Sequence, residues 1–531
     1  MPVERVPFKE TGYFSDLISD YLDQKPSLQP FYGRFPVIEN FEAQFLEKKK
    51  SFSQKNRLIL SEVLKQQYRN LNPSEKTNQH IALLQKENTF TITTGHQLNL
   101  FSGPLYFLYK IISVINTTKL LKKEYPEFNF IPVFWMASED HDFEEINHFN
   151  FKGKKIQWNQ DRKGAVGKLN TGSLDQVFEV FSKELGIGER ADELRLLFQE
   201  AYLQNDSLAD ATRSLANALF GSYGLVIVDG DHHDLKKIFI PFIKNELQNN
   251  TGQEQVLSQS KKLDALGYKV QVNPREINLF YLSDGLRERI IEKDGLFYVD
   301  KTELKWSGEE ILKLVDETPE RFSPNVIMRP LYQEVVLPNI CYIGGGGELA
   351  YWLELKSYFS TLEVPFPIVL LRNSALILTS KKAKKLEKLA LDTQDLFLDQ
   401  HELTSKKIRQ ISAIPIDFEP QKRQLSRQFE ELYILAEKTD ASFLNAVKAQ
   451  EVKQLNGLDT LEKRLLKAQK RKLKDHVQRL QDLQDDMFPN KNLQERVLNF
   501  SELYLEYGSE LIPMLIQKLN PFEGKFLIIT S

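Results

Sequence analysis

The sequence predicts an α/β protein: an open, largely parallel sheet carrying insertions, followed by an α-helical coiled coil. Three observations predict it. Residues 90–137 run strand, loop, long helix, strand, the layout of a βαβ crossover. Further strand candidates recur at 224–228, 277–282, 339–343 and 368–371, with helical patterns between several of them. After about Pro420 the composition turns to charged and amide residues crossed by a leucine stripe.

The elements follow in order. Residues 1–88 read as a mostly helical segment packed on the core, with breaks at Pro26, Pro30 and Pro36 and an amphipathic stripe over 41–71. The β-branched run Phe90-Thr91-Ile92-Thr93-Thr94 predicts a strand bounded by Gly95. A loop to Gly103 follows, and Pro104 suits the first turn of a helix reaching about Tyr125. Residues 130–137 are almost wholly apolar, as a strand buried on both faces of a parallel sheet must be. The core spans 89–418. An antiparallel helical coiled coil occupies 419–490, with helices at 421–438 and 441–486. Its stripe Leu458, Leu461, Leu465, Ala468 slips by one residue before Leu473, Val477 and Leu480. Pro489 ends it, and 491–531 return to the core as a helix over 493–519 and a strand over 525–530.

Composition narrows the function. A chain of 531 residues is long enough for two or three structural units, and 35 Phe with 19 Tyr supply a sizeable core. Lys and Arg number 70 against 73 Asp and Glu, so no global basic field draws nucleic acid. The single cysteine, Cys341, excludes an internal disulfide, and the apolar run 340–343 marks it as a buried strand position. The start Met1-Pro2-Val3-Glu4-Arg5 lacks the basic-then-apolar layout of a signal peptide. No run approaches the about 20 apolar residues that span a bilayer. A cytoplasmic protein is expected.

Four clusters carry possible chemistry. Thr94-Gly95-His96-Gln97, with Ser102-Gly103 ahead of Pro104, lies between a first strand and a long helix, the corner where backbone N–H groups and the helix dipole favour anions. It is neither a P-loop nor the dinucleotide glycine fingerprint. Ser138-Glu139-Asp140-His141-Asp142 follows the apolar strand at its carboxyl end; Asp140 or Asp142 would orient His141 as acid or base. Asp229 to Asp234, with His232 and His233, repeats that placement and serves equally as a helix start. Gly344-Gly345-Gly346-Gly347-Glu348 forms a glycine nest between strand and helix, with Arg329 upstream to pair with a carboxylate.

These residues resemble a known family. Thr94-Gly95-His96-Gln97 through Ser102-Gly103-Pro104-Leu105-Tyr106, Pro132-Val133-Phe134-Trp135, and Glu139-Asp140-His141-Asp142 through His148 are similar to the BshC family of bacillithiol biosynthesis. So are Phe322-Ser323-Pro324-Asn325, Arg329-Pro330-Leu331-Tyr332-Gln333-Glu334, and Tyr342 to Glu348 with Ala350-Tyr351-Trp352. The family commonly carries Gln where His96 stands. The resemblance implies a Rossmann-like core interrupted by connecting segments and a coiled coil that makes a homodimer. It implies a ligase joining the cysteine carboxyl group to the amine of glucosaminyl malate, with ATP and Mg²⁺ as the expected activating pair and no tightly bound metal. On that basis Thr94, Gly95, His96, Gln97, Ser102 and Gly103 form the nucleotide or carboxylate corner. His96, Asp140 and His141 are the catalytic candidates, and Asp142, Arg329, Gly346 and Glu348 bind substrate. The competing expectations are a metal-dependent hydrolase built on the Asp/His clusters, and a metabolite-binding scaffold dimerised by the coiled coil.

Overall fold

The computed structural model describes residues 2–160 and 163–530. Five strands form an all-parallel sheet in the order Ile368–Leu371, Asn339–Gly344, Thr89–His96, Asn129–Met136, Val226–Asp229. Counted along the chain from the far edge the order is 3-2-1-4-5, that of a doubly wound Rossmann sheet. Every residue of Thr89–His96 is buried, as a central strand covered on both faces requires. Helix Tyr106–Glu124 supplies Val114 and Leu121 to a core of Phe41, Phe45, Phe90, Ile92 and Phe130; Cys341 sits in the same core. Lys122 and Lys123 lie in that helix's last turn, where cations oppose the dipole.

The strand predicted at 277–282 exists as Leu279–Ser283 but belongs to another sheet. It lies in a five-stranded antiparallel sheet with Leu286–Lys293, Leu296–Val299, Lys305–Ser307 and Phe322–Pro324. The physical reason is in the turns. Asp294-Gly295 has positive φ at both residues, the conformation that joins right-twisted antiparallel strands, and Asp284-Gly285 joins the preceding pair. A hairpin of His148–Phe151 and Lys154–Gln157 uses Lys152-Gly153 in the same way.

Three predicted helices are interrupted, one of them at Leu473 in the coiled coil. The stripe over 41–71 is divided into Phe41–Ser51 and Gln54–Gln67, because Ser53 turns extended and its side chain accepts from the Asn56 N–H. The helix placed at 493–519 is Gln494–Val497, Phe500–Tyr507 and Leu511–Lys518. Asn499 caps the second piece, and Gly508 breaks it at φ +61°. The segment 1–88 also opens with a strand, Val3–Val6, paired antiparallel with Phe526–Thr530.

The chain divides into two compact units. One comprises Val3–Leu376 with Leu493–Ile529 and holds the parallel sheet. The other is Ile377–Asn492 with Pro2 and Thr530. The helical unit therefore takes in 377–418, which the sequence places with the core. Within it, Glu419–Ala436 packs on Ala441–Lys472 around Phe429, Ala436 and Val447. Tyr433 bonds Glu451 and Lys422 pairs with Asp459, so partners move forward on one helix as they move back on the other: the hairpin is antiparallel. The slip in the leucine stripe coincides with a helix break at Leu473, which separates Ala441–Lys472 from Lys474–Met487. Among the described residues no helix is long and apolar enough to cross a membrane.

Candidate functional site

A cavity of about 770 Å³ opens at the carboxyl ends of the parallel strands. Gly95 and His96 end the first strand, Trp135 and Met136 the second, and Tyr342 lies in the fourth, with Gly345, Gly347 and Glu348 just beyond it. The first and fourth strands are adjacent while their crossovers leave in opposite directions. That is the topological switch point where open α/β sheets bind ligands. The antiparallel sheet adds Leu279, Phe280, Arg287 and Arg289 to the wall. Seven cations and four carboxylates line the cavity, so its excess charge is positive.

Its floor is a polar network. Lys110, alone in the apolar run 107–115, is buried and places Nζ 2.6 Å from Glu348 Oε2 while donating to the Gly95 carbonyl at 2.8 Å. Glu348 also accepts from Tyr342 Oη at 2.7 Å and from the Gly345 N–H at 2.9 Å. Burial opposes the Glu348 charge, but Lys110, Tyr342 and Gly345 outweigh it and draw its carboxyl down to about 2. Burial drives Lys110 the other way, below the ordinary lysine range. Arg329 donates to Gln333 Oε1 and Tyr351 Oη. A side chain at Gly95 would come within 3.2 Å of Tyr342 Oη and 3.4 Å of Arg329, so glycine lets the strand end approach this network.

His96 is 7% exposed, and its Nε2 has no hydrogen-bond partner among the described residues. Burial first, then the nearby Lys110, pulls it down to about 3, so the ring is neutral at physiological pH and acts as a hydrogen-bonding group rather than a cation. His141 is held differently from the sequence expectation. Arg287, stacked 4.0 Å from the Phe280 ring, donates to His141 Nδ1 at 2.5 Å. A guanidinium only donates, so the ring proton of neutral His141 sits on Nε2. Asp140 instead accepts from the His141 backbone N–H and from Gln97 Nε2. Arg287 thus meets Nδ1, while Asp142 Oδ1 lies 3.8 Å from Nε2 on the other side of the ring.

Of the sequence candidates, Gly95, His96, Gln97, Asp140, His141, Asp142, Arg329 and Glu348 line the cavity together. Thr94, Ser102, Gly103 and Gly346 do not. Thr94 is buried inside the sheet. A Cβ at Gly346 would face Ile18 and Phe14. Gly103 has φ +62°, and a Cβ there would lie 2.6 Å from Asn99, so this glycine shapes the loop rather than meeting ligand. From the third cluster only Gly230 reaches the wall. Asp229 accepts from Ser138 and the Asp231 N–H, and His232 caps a helix. Sequence reasoning missed Lys110, Arg287, Arg372 and Tyr351. Lys110 was visible as the one charge in an apolar helix face, and Arg372 as the residue directly after the strand Ile368–Leu371.

The comparisons with known proteins agree with this architecture. The family model for the bacillithiol biosynthesis BshC N-terminal Rossmann-like domain matches residues 1–373, and that for the BshC C-terminal coiled-coil domain matches 375–531. The chain belongs to the BshC family. Three relatives named "Putative cysteine ligase BshC" illustrate the range. A protein of Christiangramia forsetii is 59% identical over 100% of this chain and 99% of its own length. One from Flavobacterium johnsoniae is 57% identical over 100% of both chains. One from Cytophaga hutchinsonii is 38% identical over 98% of this chain and 97% of its own. The family domains meet at residue 374, beside the boundary between the two compact units at 376 and 377. As a BshC chain it is thus a member of a ligase family with a Rossmann-like core and a coiled coil.

Proposed function

We propose that this chain joins the carboxyl group of cysteine to the amine of glucosaminyl malate, in the last step of bacillithiol biosynthesis, with ATP activating the carboxylate. The carrying observation is the cationic cavity at the switch point, with seven cations facing four carboxylates. Two of the three expected substrates are strongly anionic: glucosaminyl malate through malate, and ATP through its phosphates. The orphaned Nε2 of His96 is the kind of buried polar atom that a donor on the substrate, such as the amine, would satisfy.

The chemistry divides into two steps. The cysteine carboxylate oxygen attacks a phosphorus of ATP, expelling pyrophosphate or ADP, and the amine nitrogen then attacks the activated carbonyl, expelling AMP or phosphate and losing a proton. Fixed cations act here by holding charge where it develops and by keeping the reactants in contact. On this reading Arg329, anchored on Gln333 and Tyr351, holds a malate carboxylate, and neutral His96, whose ring proton goes to the Ser102 carbonyl, offers Nε2 as an acceptor to the substrate amine. His141 and Asp140, at the opposite wall, meet the amine or its departing proton. Mg²⁺ accompanies the nucleotide on this reading.

The antiparallel hairpin is proposed as the homodimer contact. Leu432, Leu435, Phe443 and Val452 are exposed on it, and an apolar group of this kind seeks cover.

The test incubates the pure chain with ATP, Mg²⁺, cysteine and glucosaminyl malate and follows products by mass spectrometry. Bacillithiol with AMP supports an adenylate route, and bacillithiol with ADP an acyl phosphate. Absence of bacillithiol while glucosaminyl malate binds would overturn the reading of this chain as sufficient for the ligation.

A further inference from the structure

Arg372 follows the last strand of the parallel sheet and lines the cavity, yet its side chain is 4% exposed. Its η nitrogens are engaged from behind. NH2 lies 2.7 Å from Glu495 Oε1, and NH1 donates to the Asn373 carbonyl at 2.8 Å and to Ser374 Oγ at 3.1 Å. Its Nε has no hydrogen-bond partner among the described residues. A Cβ built on Gly345 would stand 3.5 Å from that Nε, which therefore faces the turn from the fourth strand into the helix Gly346–Leu353, where the Gly345 N–H is taken by Glu348 and no nest forms. The guanidinium lies 5.1 Å from the ring centre of Tyr106, another cavity residue.

Glu495 is fully buried and saturated. Its Oε1 accepts from Arg372 and from Ser374 Oγ at 3.0 Å; its Oε2 accepts from the Ala375 N–H at 3.0 Å. It comes from the stretch where the chain rejoins the core after the helical unit. The same stretch does two further things. Arg496 lines the cavity. Asn499 donates to the carbonyls of Phe101 at 2.8 Å and Gly103 at 2.7 Å, bracing a loop in which Phe101 and Ser102 both hold positive φ.

A guanidinium with two nitrogens clamped and one donor unspent, pointed at the start of the helix Gly346–Leu353 on the cavity wall, is arranged to receive an oxyanion. We propose that Arg372 binds an anionic group of the substrate, carboxylate or phosphate, that Glu495 is its positioning residue, and that residues 494–499 complete the site. This rests on the reading of the cavity as one for anionic substrates.

Two ligands carry the candidate chemistry, so the test uses both: glucosaminyl malate and MgATP, titrated calorimetrically into the full-length protein. Arg372→Met alone would strand a buried carboxylate and threaten folding. The informative variants are the double replacement Arg372→Met with Glu495→Gln, which leaves no unpaired charge, Glu495→Gln alone, and Arg372→Lys. The double variant is expected to keep a cooperative unfolding transition and to bind one of the two ligands about tenfold or more weakly. The ligand affected identifies the anion as carboxylate or phosphate. Glu495→Gln is expected to weaken the same ligand by a smaller factor, raising its KM more than it lowers kcat, and Arg372→Lys to recover part of the binding. A Glu495 that served packing alone would lower the unfolding midpoint and leave both affinities unchanged. Wild-type affinity for both ligands in the folded double variant overturns the proposal, as does wild-type protein that binds neither. A wild type that binds, loses binding in the double variant and makes no bacillithiol would leave Arg372 in its role and remove the ligase reading.

Discussion

Replacing Glu348 by Gln removes the carboxylate that Lys110 meets under the cavity floor. At 2.6 Å the pair attracts by about 6 kcal/mol at an effective dielectric constant near 20, and the desolvation of each ion takes back several kcal/mol of that. From the Glu348 side, the fall from the ordinary 4.5 to about 2 corresponds to about 3 kcal/mol of stability. That stability is present above the unfolded value and is lost as pH falls through the folded one. The depressed Lys110 opposes it, so the net worth of the pair is smaller than the Glu348 gain. The variant strands a buried ammonium, and the expected loss at pH 7 is about 3 kcal/mol. A lysine whose folded pKa lies below its unfolded one regains stability as pH rises toward the unfolded value. The deficit should therefore narrow between pH 7 and pH 9.5. Urea unfolding of wild type, Glu348→Gln and the double variant Lys110→Met with Glu348→Gln, at both pH values, measures this. The double variant should recover most of the loss. Equal midpoints for wild type and Glu348→Gln at pH 7, or a deficit that does not shrink on alkalinisation, would refute the reasoning.

Buried Glu334 is raised to about 7 by burial, against the pull of Lys48. Because the folded protein binds this proton more tightly, stability should fall as pH rises from about 4.5 to 7, and Glu334→Gln should flatten that part of the profile. His141→Ala should lower bacillithiol formation about a hundredfold if the ring moves a proton, with binding of glucosaminyl malate little changed in calorimetry. Gly103→Ala forces a side chain into the left-handed region 2.6 Å from Asn99, and thermal unfolding should report a loss of more than about 1 kcal/mol. The proposed dimer contact is tested by replacing Leu435 and Val452 with Lys: the unsubstituted chain should sediment as a dimer and the variant as a monomer, with ligand binding intact.

The parallel sheet was legible because its strands announce themselves. Asn129–Met136 is apolar on both faces, and no surface strand reads that way. The placement of Asp140, His141 and Glu348 at one cavity followed from a rule about strand ends and needed no knowledge of packing. What was hidden has two physical sources. The antiparallel sheet depends on Asp-Gly turns, and the sheet in which a strand pairs is fixed by partners many residues away. Arg287 meets His141 only because that sheet folds over the second strand's end; nothing in the letters near 287 marks it. Arg372 and Glu495 are separated by more than a hundred residues of helix, so their pairing is a fact of tertiary structure alone. Thr94 and Gly346 show the opposite failure, since neighbours of site residues were credited with their roles: Thr94 is buried inside its strand, and Gly346, at a helix start, turns toward Ile18 and Phe14.

The late return of the chain also sets a timetable for its birth. When Leu376 has left the ribosome, Arg372 has no Glu495, and the loop at 101–103 has no Asn499 to brace it. More than a hundred residues of the helical unit must be made first, which at bacterial elongation rates takes roughly ten seconds. The strand Val3–Val6, made before the rest of the core, waits longer still for its partner Phe526–Thr530. During translation the nascent core is therefore an incomplete body with an open strand edge and a buried-to-be arginine still in water. A stop codon anywhere in the helical unit would leave a polypeptide holding nearly all of the site's residues and lacking the few that close it.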